Sequence, residues 1–510
     1  MDFFQLIDGA EILGCSGNAG IHGLDYDSRR IEPGFCFIAM RGGTTDGNHY
    51  IDAAIRAGAV AVVSDSVTET PRKDVAWATT AHGRRALAKL SANFYKKPAE
   101  KLAITGVTGT NGKTTTTYLV ESLLQHAGRK TVMVGTVEYH IAGRVIPAPH
   151  TTPESLELNR VFHEAVSHGA TEAVMEVSSH ALAQERVYGI PYDVAVFTNL
   201  TRDHLDFHGT MENYFRAKSC LFIGCGTEPP RVAIINRDDA WSEGLVKLAH
   251  RHSDKVFTYG LTSGDFHAEK LEMTAGGTRF EMVTPERRVE VFSPLLGKVN
   301  VYNLLAASAA AMERGLHADR ISEAVPYLAK VSGRFERVDA GQPFSVIVDY
   351  AHTDDALRNV TSLAREFVNQ AGGGRVITLF GCGGDRDKTK RPLMGKAAGE
   401  GSDLVILTSD NPRSEDPQAI LNDALPGLAE TGTKFLVEPD RKKAIGMAVA
   451  NARLGDIVIL AGKGHEKTQT TREGVHPFDD VKVAMHALHD AGYGAPANEA
   501  SHSVHGSHIG

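Results

Sequence analysis

Gly106–Thr117 reads GVTGTNGKTTTT, and how that stretch is read decides the fold around it. It follows the apolar run KLAITG at 101–106 and opens KTTTTYLVESLLQHAG at 113–128, where apolar residues recur at helical spacing. The common phosphate loop has a glycine six residues before its lysine. Here that place is Val107, and the glycines stand at 106, 109 and 112. A turn from strand into helix leaves the first helical N–H groups unpaired and points the helix dipole at the turn, which favours phosphate despite the spacing. Gly109 and Gly112 let the backbone approach an anion closely, Lys113 can neutralise outer phosphates, and the Thr114 hydroxyl is placed to ligate magnesium. The other reading, a plain glycine turn before a helix, is disfavoured by the Lys-Thr-Thr that follows.

From Lys101 to about Gly260, short apolar runs (KLAITGVTG, KTVMVGTV, TEAVMEVSS, YDVAVFTNL, RVAIINRDD, KVFTYG) alternate with helical patterns, the rhythm of a parallel sheet with crossover helices. Between 264 and 297 polar and apolar residues alternate around a Gly-Gly turn, which predicts an antiparallel hairpin appended to that sheet. After Gly333 a second series (FSVIVDYA, RVITLFGCGG, DLVILTSDNP, KFLVEPD, DIVILAGKG) predicts a separate doubly wound domain. The expected fold class is α/β with three domains. These are a small α/β unit at 1–98, a central P-loop ATPase domain at 99–331 with a parallel sheet plus a small antiparallel one, and a Rossmann-like domain at 332–490. The tail at 491–510 lacks apolar periodicity and reads as disordered.

A chain of 510 residues with 42% hydrophobic and 23% charged residues is long enough for about three domains. Its formal charge of -8 gives no basic field for nucleic acid or for an anionic membrane, so small-molecule chemistry is expected. Five scattered cysteines with no CxxC pair argue against a disulfide framework or a zinc knuckle and read as buried thiols in a reducing cytosol. The N-terminal stretch MDFFQLIDGAEILG has no basic leader, and no run approaches the roughly 18 apolar residues of a membrane span, so the expected location is the cytoplasm.

TGTNGKTT, with its displaced glycines, resembles the ATP loop of the Mur ligase family, which also includes folylpolyglutamate synthases. The resemblance runs from about residue 20 to 480 through MEVSSHALAQERV, FTNLTRDHLDFHGTMENYFRAK, GKVNVYNLLAA, SGRFERV, DYAHTDDAL, GCGGDRDKTKRPLMG, DNPR and GKGHE. It implies an ATP-dependent amide ligase that adds meso-diaminopimelate to UDP-N-acetylmuramoyl-L-alanyl-D-glutamate through an acyl phosphate. Such a ligase serves peptidoglycan synthesis, and so cell shape and division. The expected cofactors are ATP and magnesium, the partners are small molecules only, and a monomer is expected. Carried over residue by residue, the nucleotide is held by Gly109, Thr110, Asn111, Gly112, Lys113, Thr114 and Thr115 with Asn303, Arg334 and Asp349. Because the last two lie in the third domain, the resemblance also implies domain closure over the substrates. Magnesium is implied at Thr114 and Glu176, with a second ion near His204 and a carbamylated Lys218 (N6-carboxylysine); Lys113, Glu176, His204 and Lys218 form the implied catalytic set.

Each of these positions has a plainer reading in the residues alone. Glu176 at a strand end could cap the next helix with Ser178 and Ser179, DHLDFH could be a solvated loop, and Arg334 a surface arginine. Lys218 in a helical pattern reads as solvated, and only the resemblance singles it out. A lysine whose neutral amine is favoured by burial can nevertheless add carbon dioxide to give an anionic carbamate.

For the UDP-sugar dipeptide the resemblance implies Ser28 of LDYDSRR, Thr44, Thr45, Asp46 and Gly47 of RGGTTDG, Thr151 and Thr152 of HTTPE, and Ser178, Gln184 and Arg186 of SSHALAQER. Arg186 suits the glutamyl carboxylates. The amine substrate is read from SDNPRSEDP, which follows the apolar run DLVILT and so lies at a sheet's carboxyl edge. Asp410 and Asn411 can hold an ammonium and a carboxylate, and Arg413 offers a fork for a second carboxylate, which diaminopimelate has and lysine lacks. Arg386, Gly462 and Glu466 complete the implied pocket, with Glu466 on the distal ammonium. By composition alone DNPR is a proline turn before a helix. The competing functions are the same reaction with L-lysine, a folylpolyglutamate synthase, and a P-loop ATPase or switch protein.

Overall fold

The computed structural model describes residues 1–494 except Thr44, Ala275, Ala329 and Lys330; 495–510 lie outside the described residues. The chain forms two compact units, Met1–Val331 and Ser332–Gly510. In the first, a five-stranded sheet runs in the order Ile12–Ser16, Ala76–Thr80, Ala61–Ser64, Phe35–Ala39, Gly23–Asp25. Only its first strand is antiparallel. The second, eleven-stranded sheet has Ala103–Thr108 inside it, between Glu172–Glu176 and Val194–Phe197, all parallel. Register pairs Glu176 with Val107 and Phe197 with Thr108, so three strands end together where the phosphate loop begins. That is the edge at which an α/β sheet offers a crevice for ligands.

Two helices fix the loop from one side of the sheet. Lys113–His126 carries Leu119, Val120, Leu123 and Leu124 into the core, where they meet the apolar side of Lys298–Glu313. In the second helix Ala306, Ala307, Ala309, Ala310 and Ala311 are all buried. Small side chains let a helix approach its neighbours closely, and this one brings Asn303 against Gly112.

The antiparallel part differs from the expected single hairpin. Phe266–Thr274, Gly277–Val283 and Arg288–Ser293 form a three-stranded meander that continues the large sheet. Its second turn contains no glycine: the Thr284 hydroxyl and amide both donate to the Arg287 carbonyl at 2.9 Å, and Arg287 N–H returns to Thr284 Oγ1. At the opposite edge Glu138–Ile141 and Arg144–Pro147 form a further hairpin.

The second unit is a six-stranded sheet in the order Glu336–Val338, Ser345–Asp349, Ile457–Ala461, Val376–Phe380, Leu404–Leu407, Lys434–Val437, parallel except for the first strand. A separate hairpin, Thr468–Thr471 with Gly474–Pro477, stands beside it. The start of the expected disordered tail is packed, since Tyr493 lies edge-on to Phe344 at 5.6 Å between ring centres. The cysteines also depart from expectation. Cys36 and Cys382 are buried, but Cys220 and Cys225 are half-buried and Cys15 is exposed on the antiparallel edge strand; all five are free thiols.

Candidate active site

Gly109 and Gly112 both have positive φ, +150° and +85°. A Cβ on Gly109 would lie 1.8 Å from Thr198 Oγ1, and one on Gly112 would lie 2.6 Å from Asn303 Oδ1, so neither place has room for a side chain. The N-cap of the helix Lys113–His126 is Gly112, which has no side chain to cap it, and a helix N-terminus favours an anion. The loop is held from the neighbouring strand end. Thr198 Oγ1 donates to Asn111 O at 2.6 Å, Asn199 Oδ1 accepts from Asn111 N–H at 2.9 Å, and Asn199 O accepts from Thr110 N–H at 2.8 Å. Thr110 Oγ1 is 3.1 Å from Tyr214 OH and donates to Thr201 O. Thr115 is buried in the first turn of the same helix. Lys113 Nζ is folded back on the loop, donating to the carbonyls of Gly109 and Thr110 at 3.1 and 2.9 Å. Asn303 Oδ1 accepts from the Thr116 hydroxyl at 3.3 Å.

Glu176 is fully buried and does not cap the next helix. Its two oxygens accept from the Thr136 N–H at 2.7 Å and the Thr136 hydroxyl at 2.9 Å, while Ser178 makes the cap by accepting from Ala181 N–H. Lys218, expected from its residues to be solvated, is 2% exposed. Its Nζ donates to Gly109 O at 2.6 Å and lies 4.6 Å from the Tyr214 ring centre. Burial first, then the nearby Lys113 charge, hold its amine well below the ordinary lysine range, so the neutral form is favoured. His204 sits in left-handed backbone at φ 54°. Desolvation, reinforced by His180, Lys113 and Lys218 and opposed by Asp203, pushes its imidazole down to about 3. A neutral imidazole is the form that ligates a metal.

Among the described residues no three of His, Cys, Asp and Glu gather into a cage. Magnesium usually takes one or two protein carboxylates and fills its remaining positions with water and phosphate oxygens. Thr114, buried in the first turn of the helix Lys113–His126, and Glu176, buried at the end of the strand beside Ala103–Thr108, fit that pattern.

Of the residues expected to hold the UDP-sugar dipeptide, five come together. Thr152 Oγ1 donates to Glu176 O at 2.8 Å and accepts from Ser178 N–H at 3.1 Å. Arg186 donates to Thr152 O and to Gln184 Oε1 at 3.1 and 2.7 Å, and Thr151 Oγ1 accepts from Thr136. Arg186 also faces Glu154 at 3.1 Å; that carboxylate accepts from Arg84 of the N-terminal sheet's helix at 2.9 Å. No hydrogen bond among the described residues joins Ser28 or Thr45 to this group; Thr44 lies outside the described residues. Ser28 opens a short helical turn capped by Asp27, and the exposed Thr45 accepts from Gly42 N–H through its carbonyl. Asp46 caps its own turn at Asn48, and Gly47 N–H donates to Met40 O.

His208 offers a pH test of this region. It is buried, 2.9 Å from Ser179 Oγ and stacked on Tyr214, and desolvation pushes its imidazole down to about 4. An unfolded histidine takes a proton near pH 6.5. Between 6.5 and about 4 the unfolded chain therefore holds the extra proton, so stability is complete above 6.5 and falls with pH, by at most about 1.4 kcal/mol per unit. The thermal midpoint of a His208→Gln variant should fall less steeply across that window than wild type; equal slopes would contradict the assignment.

In the second unit Asp349 accepts from the N–H groups of Phe335 at 2.7 Å and Ala351 at 2.9 Å. Desolvation raises its carboxyl above the usual range, against the pull of Arg334. Arg334 lies over the Tyr350 ring at 4.6 Å, so it is not a plain surface arginine. At the carboxyl ends of the next strands, Arg413 adopts left-handed backbone at φ 52°. Its N–H donates to Thr470 O at 3.0 Å and its Nη1 to Gly384 O at 2.7 Å. Asn411 Oδ1 accepts from Thr470 N–H, and Asn411 Nδ2 donates to Glu466 Oε2 at 2.8 Å. A Cβ on Gly462 would sit 3.8 Å from the Asp410 carboxylate. Arg386 is exposed, with Nη1 donating to Asp385 O. Asp410, Asn411, Arg413, Gly462 and Glu466 are thus gathered, and Arg386 follows the Gly383–Gly384 turn that Arg413 touches.

Sequence reasoning missed Thr136, Thr198, Asn199 and Tyr214 in the first unit and Lys463 and Thr470 in the second. Only Thr198 and Asn199 carried a signal, as polar residues directly after the apolar run YDVAVF.

Comparison with known proteins gives three adjoining matches: "Mur ligase family, catalytic domain" at 20–95, "Mur ligase middle domain" at 107–311 and "Mur ligase, glutamate ligase domain" at 333–464. The UDP-N-acetylmuramoyl-L-alanyl-D-glutamate--2,6-diaminopimelate ligase of Solibacter usitatus is 52% identical over 474 residues, covering 93% of this chain and 94% of the relative. That of Geobacillus thermodenitrificans is 45% identical over 477 residues, covering 92% and 96%. A solved structure of a ligase of the same name is 36% identical with TM-score 0.65 over 93% of this chain and 96% of that chain. The MurF ligase of Thermotoga maritima, solved with ADP, shares the fold at 19% identity with TM-score 0.63, over 92% and 97%.

Proposed function

The chain belongs to the Mur ligase family, and from that premise we propose that it joins meso-diaminopimelate to UDP-N-acetylmuramoyl-L-alanyl-D-glutamate at the expense of ATP, a step of peptidoglycan synthesis. The observation that carries the choice of amino acid is the docked turn Asp410–Arg413, whose arginine is anchored on Gly384 and whose Asn411 donates to Glu466. We assign 1–98 to the UDP-sugar, 99–331 to ATP and 332–490 to the amino acid, and place the protein in the cytoplasm as a monomer.

A carboxylate and an amine do not condense unaided in water. Transfer of the terminal phosphoryl group of ATP to a glutamyl carboxylate expels ADP. The amine then attacks the acyl carbon, phosphate leaves, and the nitrogen sheds its proton. The loop N–H groups and Lys113 hold the phosphates, and Lys113 must leave the carbonyls of Gly109 and Thr110 to do so. Thr114 and Glu176 would hold one magnesium ion, and His204 with carbamylated Lys218 a second, which would supply positive charge for the transferring phosphoryl group. Arg186 and its ring of polar neighbours orient the dipeptide carboxylates. Within the first unit, acid and nucleotide are held at neighbouring strand ends, which lowers the entropic part of the barrier.

Arg413→Ala is expected to raise the KM for diaminopimelate roughly 10- to 100-fold, the range for losing a charged hydrogen bond. The KM values for ATP and the UDP-dipeptide should stay within about twofold, so steady-state kinetics with each substrate varied in turn decide it. Unchanged diaminopimelate kinetics would remove Arg413 from the pocket.

A further inference from the structure

We propose that Lys463 is a positioning residue for the incoming diamino acid, fixing Asp410, Asn411 and Glu466 as one recognition unit of net charge minus one; this rests on the function proposed above. Lys463 stands in GKGHE directly after the strand Ile457–Ala461, and it is completely buried. Its three ammonium hydrogens face three acceptors: Glu466 Oε2 at 3.1 Å, Asn411 Oδ1 at 3.2 Å and Asp410 Oδ1 at 3.5 Å. The acceptors come from two strand ends, so the lysine ties the DNPR turn to the turn that bears Gly462 and Glu466.

Two features give that tie a consequence for recognition. The first concerns the Asn411 amide, whose Oδ1 accepts from both Lys463 Nζ and Thr470 N–H. Nδ2 is thereby committed to the side of Glu466, and it donates to Glu466 Oε2. The second concerns charge. Asp410 Oδ1 is buried and makes no hydrogen bond, so the ion pair with Lys463 is its compensation. Arg441, a buried cation near both carboxylates, is already neutralised by Asp480 at 2.6 Å. Two carboxylates against one ammonium leave a single negative charge, which matches one substrate ammonium. Without Lys463 the buried Asp410 and half-buried Glu466 carboxylates would face each other uncompensated and be pushed apart. The acceptors for the substrate ammonium then lose their fixed places, while the rest of the enzyme is untouched.

The full-length Lys463→Met variant, similar in length but uncharged, tests this with four readings. The KM for meso-diaminopimelate should rise on the order of 10- to 100-fold, with those for ATP and the UDP-dipeptide within about twofold. The kcat at saturating diaminopimelate should fall far less than kcat/KM. ADP release with the UDP-dipeptide and hydroxylamine in place of the amino acid, which captures the acyl phosphate, should be retained. A merely structural role would instead depress the hydroxylamine reaction and all three KM values together, and that result overturns the proposal, as does an unchanged diaminopimelate KM. If Lys463→Met loses its circular dichroism signal, Lys463→Gln, which keeps a donor without the charge, carries the same readings. Wild type that fails to consume diaminopimelate refutes the proposed function itself, whereas a missing split in the variants refutes only the role of Lys463.

Discussion

Lys218→Ala is expected to lower kcat roughly 10²–10³-fold, the loss that follows removal of one preorganised charge from a reacting centre. The physical basis is the environment of the amine. At 2% exposure, with Lys113 nearby, the ammonium form is penalised and the neutral nitrogen is left 2.6 Å from the Gly109 carbonyl. A neutral amine adds carbon dioxide through its lone pair and releases one proton, giving a carbamate. That reverses the sign of the group from a potential cation to an anion beside the phosphate loop. Lys218→Met, which nearly preserves the buried volume, should lose activity to the same extent and so exclude a cavity as the cause. Wild type equilibrated with ¹³C-bicarbonate should show one carbamate carbon resonance that both variants lack. Full activity in the variants, with no such resonance in wild type, would contradict the assignment.

Gly109→Ala is expected to lower kcat/KM for ATP by about 10²-fold or more, the scale of a reacting group misplaced by about 1 Å. The new methyl group would start 1.8 Å from Thr198 Oγ1 and 3.0 Å from Asn199 N. Thr198 cannot swing aside freely, because its hydroxyl donates to Asn111 O at 2.6 Å. The loop has to move, and with it the N–H groups that face the phosphates. Adding Thr198→Ala removes the nearer obstacle but leaves the Asn199 backbone, so the double variant should recover part of the loss. A single variant with an ordinary KM for ATP would show that the loop is not where the nucleotide is held.

The parts of this fold that were legible in the sequence are those where one local signal dominates. The apolar runs that carry Ile104, Val107, Val174 and Val196 are buried on both faces of a parallel sheet, and no turn chemistry is needed to find them.

The antiparallel edges were less legible because their turns are built from unexpected residues. Thr284 closes its turn with its own hydroxyl, and the turn between Glu138–Ile141 and Arg144–Pro147 is formed by Ala142 and Gly143 in left-handed backbone rather than by an Asn-Gly pair. Glu176 shows the same limit at the site. Its letters allow a helix cap, and only the approach of Thr136 from a neighbouring strand end determines what its carboxylate binds. Lys218 and Lys463 are the extreme cases, since burial of a lysine is a tertiary property with no local signature.

The most direct test of the central claim is mass analysis of the product formed by the full-length protein from ATP and UDP-N-acetylmuramoyl-L-alanyl-D-glutamate, with equal meso-diaminopimelate and L-lysine in competition. The predicted result is the diaminopimelate tripeptide, with one ADP and one phosphate released per product and little hydrolysis of ATP when either co-substrate is omitted. A lysine adduct in comparable yield, or steady ATP hydrolysis with no amide product, would contradict it.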